Sequence, residues 1–299
     1  MDIKVPKLFK YRYFNENSVS RDGTENGEKI PQWQQVLYDG LIFPVAPETF
    51  NDPYDCNFSL DSSFLEGKLM RLSAIEGINK NYLYQLTDEE KLEILNSKNV
   101  RRALEKALKH REPNTYKYIA GEIIKEYENV IKEAKSILKV ACFSETNDSI
   151  LMWSHYANNH SGFCIEYDFN SWELKEWLAP VHYIKERHKL QAGDIDEKMD
   201  LSDLGKVIRS EALYKADVWN YEKEWRIIFA WSKEGKPTKY QNPKFVYELK
   251  DFITGVYLGA NVDDCLRNQV FGHFKGTTVK VYQMIMKEDE YKLVAERIS

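Results

Sequence analysis

The chain has 299 residues and a formal net charge of −5, and its 43% hydrophobic and 30% charged residues supply enough apolar surface for a sizeable core. That balance argues against a disordered chain and against a general nucleic-acid coat, which needs lysine and arginine in excess over phosphates. Cys56, Cys142, Cys164 and Cys265 are scattered without the close CxxC pairing of zinc ribbons or redox motifs, no apolar run approaches a membrane span, and Met1 to Pro6 lacks an apolar leader core. The expected compartment is the cytoplasm, with no membrane partner.

Residues 1–60 read as short strands and turns. Leu8 to Phe14 (LFKYRYF) suits a strand, Asn15 to Pro31 a polar loop, Gly40 to Val45 a second short strand, and Phe50 to Asp55 a structured turn. Residues 62–139 read as a helical insertion. Thr87 stands three residues before Glu90, the spacing of a capping box, and Ile119, Ile123, Tyr127, Val130, Ile131, Ala134 and Leu138 mark an amphipathic helix over 116–138. Strand patterns return at Val140 to Phe143, Gly162 to Tyr167, Glu224 to Trp231, Phe252 to Gly259, Thr277 to Met286 and Tyr291 to Ile298. Helices are expected at Ser149 to Asn158, capped by Thr146 or Asp148, and at Asp263 to Phe271, and Lys185 to Leu213 is polar and helix-prone. The expectation is an α+β fold: one domain spanning 1–299, its mixed or antiparallel sheet interrupted by the insertion at about 62–139.

Three clusters can carry chemistry. In Glu222-Lys223-Glu224-Trp225-Arg226, strand alternation puts Glu222, Glu224 and Arg226 on one face, where they can bind hydroxyls and stabilise a developing cation. The plain alternative is an edge strand showing its charges to water. The run from Cys142 to Asp148 (CFSETND), followed by Met152 to Tyr156 and Asn159 to Gly162, gathers Ser144, Trp153, His155, Tyr156 and His160. Singly these fit helix caps or core positions; together they suggest a pocket. Arg12, between Tyr11 and Tyr13, can receive a phosphate through its planar fork, whereas Asn51 and Asp52 suit a tight turn. His155 and His160 are five apart, not four, and Gly-rich phosphate loops are absent, so no metal is predicted and a P-loop or Rossmann enzyme is disfavoured.

In LFKYRYF, LIFPVAPETFNDPYD, ACFSETNDSILMWSHYANNHSGFCIEYD, WNYEKEWR and ITGVYLGANVDD, the chain resembles the bacterial family catalogued as domain of unknown function 2971. That label brings no established activity. A weaker resemblance, to the ADP-ribosyltransferases, lies in the order of Arg12, Phe143-Ser144-Glu145-Thr146 and Glu222-Lys223-Glu224. It implies NAD as substrate, with no metal. Glu224 would support the oxocarbenium-like transition state and Glu222 would orient the acceptor. Arg12 would bind the dinucleotide, and Ser144, Trp153, His155 and Tyr156 would line the pocket, with Asn51, Asp52, His160 and Arg226 as further pocket candidates. It also implies a protein or nucleic-acid acceptor of unknown identity, a toxin or phage-defence role, and a defence-system or antitoxin partner. A metal-dependent nuclease or hydrolase using Asp52, Asp55, His155 and a glutamate stays open, as does a non-catalytic module that senses a nucleotide or partner.

Overall fold

The structure is a computed structural model, and it describes residues 4–16, 18–20, 29–57, 59–60, 86–97, 102–103, 106–107, 132, 138–173, 175–190, 201–230 and 247–298. Its contacts divide the chain into two units: Met1–Thr49, Lys139–Tyr183 and Asp217–Ser299 form one, and Phe50–Leu138 with Ile184–Ala216 the other. Eight strands form the sheet of the first unit: β1 (Leu8–Arg12), β2 (Leu138–Ser144), β3 (Phe163–Tyr167), β4 (Leu178–Pro180), β5 (Glu224–Ala230), β6 (Ile253–Leu258), β7 (Lys280–Met286) and β8 (Leu293–Arg297). The helices whose bounds fall among the described residues are, in chain order, α1 (Gln32–Leu37), α2 (Asp88–Asn96), α3 (Ile150–Tyr156), α4 (Leu201–Glu211) and α5 (Asp264–Phe274).

The sheet order is β8-β7-β6-β3-β1-β2-β5-β4, and it is mostly antiparallel. Only the pair β6–β7 is seen to be parallel, and α5 makes its crossover, which a parallel pair requires. The fold is therefore mixed α+β. Both faces of the sheet are buried because its central strands place large apolar side chains at successive positions. Leu8, Phe163, Ile165, Tyr167, Val256, Leu258 and Val281 pack on one face with Trp33, Val36 and Leu37 of α1 and Val270 and Phe274 of α5. Phe9, Tyr11, Cys164, Tyr257 and Met284 pack on the other with Met152 and Trp153 of α3.

Most expected strands are present with ends shifted by a few residues. Leu8 to Phe14 shortens to end at Arg12, and Gly40 to Val45 reduces to Leu41–Ile42 plus a bridge from Val45 to Val140. α1 was not expected; at six residues it is too short to show a repeating apolar stripe. The cap of α3 is Ser149, whose hydroxyl accepts from the Met152 N–H at 3.3 Å, and not Thr146 or Asp148. The helix begins at Ile150, so the cap position falls on Ser149.

In the second unit the capping box stands as read: Thr87 Oγ1 accepts from Glu90 N–H at 3.3 Å, and Glu90 Oε2 accepts from Thr87 N–H at 2.8 Å. Ser59–Leu60 pairs in parallel with Lys189–Leu190. Most of the insertion expected at 62–139, including every position of the helix at 116–138 except Lys132 and Leu138, lies outside the described residues.

Candidate functional site

β1 is the pivot of the first unit, with β3 on one side and β2 on the other. Alternation sends Arg12 to the same face as its cross-strand neighbour Phe163, and toward α1. There Arg12 lines a cavity of about 150 Å³ with Tyr13, Asn15, Gln32, Trp33, Val36, Phe43, Val45 and Phe163. Among the described residues the lining holds no carboxylate. Arg12 is half-buried and has no carboxylate partner among the described residues; its pKa is held below the usual guanidinium value by burial. Gln32 accepts from Asn15 Nδ2 at 3.2 Å through its carboxamide oxygen, so its own N–H groups remain available as donors. Trp33 is 3% exposed, and its indole N–H has no hydrogen-bond partner among the described residues. The cavity is rich in donors, cationic and walled by aromatic rings. An uncompensated, partly desolvated cation is costly to a fold, which marks the place where an anion would be welcome.

Lys10 lies on the same face, 6% exposed, donating to the Cys142 carbonyl at 2.7 Å with its ammonium 4.9 Å from the Phe143 ring centroid. Burial and then the neighbouring Arg12 charge push its pKa down to about 7. Sequence reasoning passed over Lys10. The available signal was a lysine at the centre of an aromatic strand, a position that a middle strand buries on both faces.

The opposite face carries a second polar cluster. Ser144 Oγ donates to the Glu222 carbonyl at 2.6 Å and accepts from the Thr146 N–H at 3.1 Å. The Tyr156 hydroxyl donates to Glu222 Oε1 at 2.6 Å, and the Tyr11 hydroxyl to the Thr146 carbonyl at 2.8 Å. Ser144, Tyr156 and Glu222 are thus brought together, with Glu222 3% exposed. Arg12 is not among them. The β1–β2 register sets Phe9 opposite Ser144, which leaves Arg12 three residues further along, roughly 10 Å at strand rise, and on the other face.

Glu222, Glu224 and Arg226 are all buried, so the solvent-facing edge reading does not hold. Nor do they alternate along one strand. Glu222 ends a 3-10 turn, Asp217–Glu222, and Lys223 takes a left-handed φ of 43°, so β5 begins only at Glu224. Arg226, 0% exposed, grips Glu224 with a fork: Nε to Oε1 at 2.8 Å and Nη2 to Oε2 at 2.9 Å. Beside them burial, and then the Glu224 charge, hold the Cys142 thiol well above its ordinary pKa.

The remaining candidates are placed as follows. Trp153 is fully buried, its indole N–H donating to the Asn147 carbonyl at 2.7 Å and its ring edge-on to Tyr11. His155 is exposed, its ring 6.2 Å from that of Tyr156 and 6.5 Å from that of Tyr221. Asn158, Asn159 and His160 take consecutive left-handed conformations, which Asn and His tolerate better than most residues. Asn-Asn-His-Ser-Gly is therefore the turn from α3 into β3. In it His160 Nε2 lies 3.1 Å from Ser154 Oγ, and burial lowers the His160 pKa. Gly162 closes that turn against β1, where a Cβ would collide with the Arg12 carbonyl. Asn51 is exposed, and Asp52 Oδ1 accepts from the Tyr54 N–H at 2.9 Å, the local bond of a tight turn. Asp55 faces Lys215 at 3.4 Å. Among the described residues no three His, Cys, Asp or Glu side chains are grouped to hold a metal, and no helix is long and apolar enough to cross a membrane.

The model of the family described as "Protein of unknown function (DUF2971)" matches residues 152–227, which supports the resemblance to that family. The match runs from α3 through Tyr156 and the Glu222–Glu224–Arg226 region into β5. No curated protein and no solved structure matches the chain.

Proposed function

We propose that the eight-stranded unit binds a phosphate-bearing nucleotide in the Arg12 cavity, with NAD as the first candidate. The observation that carries this reading is the half-buried Arg12 guanidinium, which has no carboxylate partner among the described residues and sits among Trp33, Phe43, Tyr13 and Phe163. Its fork matches the oxygens of a phosphate, and the rings offer faces to a base or to nicotinamide. A cavity of about 150 Å³ takes one phosphate or one ring, so most of a dinucleotide would extend outside it.

ADP-ribosyl transfer is the second reading, favoured by the buried Ser144–Tyr156–Glu222 cluster. In that reading Glu222 is the better-placed carboxylate, because Arg226 already occupies both oxygens of Glu224. Breaking the nicotinamide–ribose bond leaves positive charge on the ribose, which a preorganised carboxylate stabilises. An acceptor and a toxin or phage-defence role belong to this reading and not to the first.

Calorimetric titration of NAD, ADP-ribose and AMP into the wild type and Arg12→Met tests the first reading, and nicotinamide release tests the second. Saturable binding that weakens by ten- to a hundredfold in Arg12→Met supports the cavity, since a charge-assisted hydrogen bond contributes about 1.5–3 kcal/mol. Equal binding by the two proteins sinks it. Release that is lost in Tyr156→Phe supports transfer chemistry.

A further inference from the structure

Trp33 lines the Arg12 cavity and is 3% exposed, yet its indole N–H has no hydrogen-bond partner among the described residues. Buried donors in folded proteins are nearly always paired, because an unpaired one loses water and gains nothing in return. Packing alone fixes this indole: its ring meets Phe14 edge-on with centroids 5.1 Å apart, and Tyr38 edge-on at 5.4 Å. The cavity thus carries a rigid donor beside the Arg12 fork.

The other groups of the lining narrow what would satisfy that donor. Gln32 already accepts from Asn15 Nδ2 at 3.2 Å, which leaves its N–H groups to donate. Among the described residues no carboxylate competes for the Arg12 charge. Lys10, two residues back on the same face and roughly 7 Å away at strand rise, is a second cation in reserve. Burial and then the Arg12 charge push its pKa down to about 7, and a bound anion opposes that push. A ligand rich in acceptors and carrying two negative charges fits this set. The phosphate at the end of a molecule has three unesterified oxygens and nearly two charges at neutral pH. Each phosphate of a bridging pyrophosphate has fewer unesterified oxygens and a single charge. Space points the same way: about 150 Å³ encloses one phosphate, whereas a pyrophosphate brings two.

We infer that the cavity is specific for a terminal phosphomonoester, held by the Arg12 fork and the Trp33 indole N–H, and discriminates against the bridging pyrophosphate of a dinucleotide. This rests on the Arg12 reading and narrows its ligand class.

The test titrates AMP, the methyl ester of AMP and NAD by calorimetry into wild type, Arg12→Met and Trp33→Phe. Indole N–H resonances of the wild type are followed in parallel, with Trp33 assigned by the signal lost in Trp33→Phe. The expected result is AMP binding at least tenfold tighter than that of the ester or of NAD, weakened tenfold or more in Trp33→Phe, with the Trp33 indole proton moving downfield at the same midpoint. Arg12-dependent binding of equal strength for all three ligands, or an indole signal that stays put at AMP saturation, overturns this inference and leaves the Arg12 reading standing. Absence of Arg12-dependent binding for all three sinks that reading and the inference with it. Should Trp33→Phe fold poorly, the ratio of AMP to ester affinity in the wild type decides.

Discussion

Glu224 is the residue that the resemblance to ADP-ribosyltransferases would make catalytic, and its partner Arg226 gives a sharp test of what it does. The two side chains, 5% and 0% exposed, meet through paired contacts at 2.8 and 2.9 Å. Removing one member of a buried ion pair strands the other charge, at a cost of about 3–5 kcal/mol. Arg226→Met and Glu224→Gln should therefore each destabilise the unit by that amount, lowering its melting temperature by roughly 6–20 °C. The double substitution should cost much less than the sum, because it strands neither charge. Urea unfolding of the four proteins closes the cycle. Single effects below about 1 kcal/mol, or strict additivity, would refute the reasoning and return Glu224 to the candidates for chemistry.

Other predictions follow from single features. Lys10 has a folded pKa of about 7 against 10.5 for an unperturbed lysine, so between those values the unfolded chain holds a proton that the folded chain does not, and stability rises with pH across that window. Lys10→Met should flatten the rise between pH 7 and pH 10 in urea midpoints; an unchanged slope would contradict the assignment. If an anion binds at Arg12, its binding should take up a proton near pH 7 to 8, visible as a buffer-dependent heat that Lys10→Met abolishes. Gly162→Ala should destabilise the first unit by more than about 2 kcal/mol, because its Cβ has the Arg12 carbonyl in its way; wild-type thermal stability in that variant would show the packing to be loose. Thr87→Ala should cost about 1 kcal/mol through loss of the cap, read from amide exchange along α2.

Much of the sheet was legible because its strands are short apolar runs bounded by turn residues, and β1, β3 and β6 were found almost to the residue. The capping box of α2 was legible for the same reason: it is a local contract between Thr87 and Glu90. The site was less so. Which face a charged side chain takes, and which strand lies beside it, depend on sheet order and register. Spacing made Glu222, Glu224 and Arg226 look like one alternating row, and only the left-handed Lys223 breaks it. Order along the chain made Arg12 and Ser144 look like partners, yet the pairing of Phe9 with Ser144 separates them. Asn159 and His160 looked like functional polar groups and are turn-formers. Trp33 and Gln32, which complete the cavity, lie on a helix too short to announce itself.

The central claim is that Arg12 is an anion receptor kept at a cost to the fold, and one paired measurement tests it most directly. Wild type and Arg12→Met are compared for thermal stability without ligand and for NAD binding by calorimetry. The account predicts that Arg12→Met melts at the same temperature or higher, since it removes a half-buried charge that has no carboxylate partner among the described residues, while its affinity falls by ten- to a hundredfold. A variant that melts well below wild type, or that binds NAD equally well, would contradict it: the first outcome makes Arg12 a structural residue, and the second places the nucleotide elsewhere.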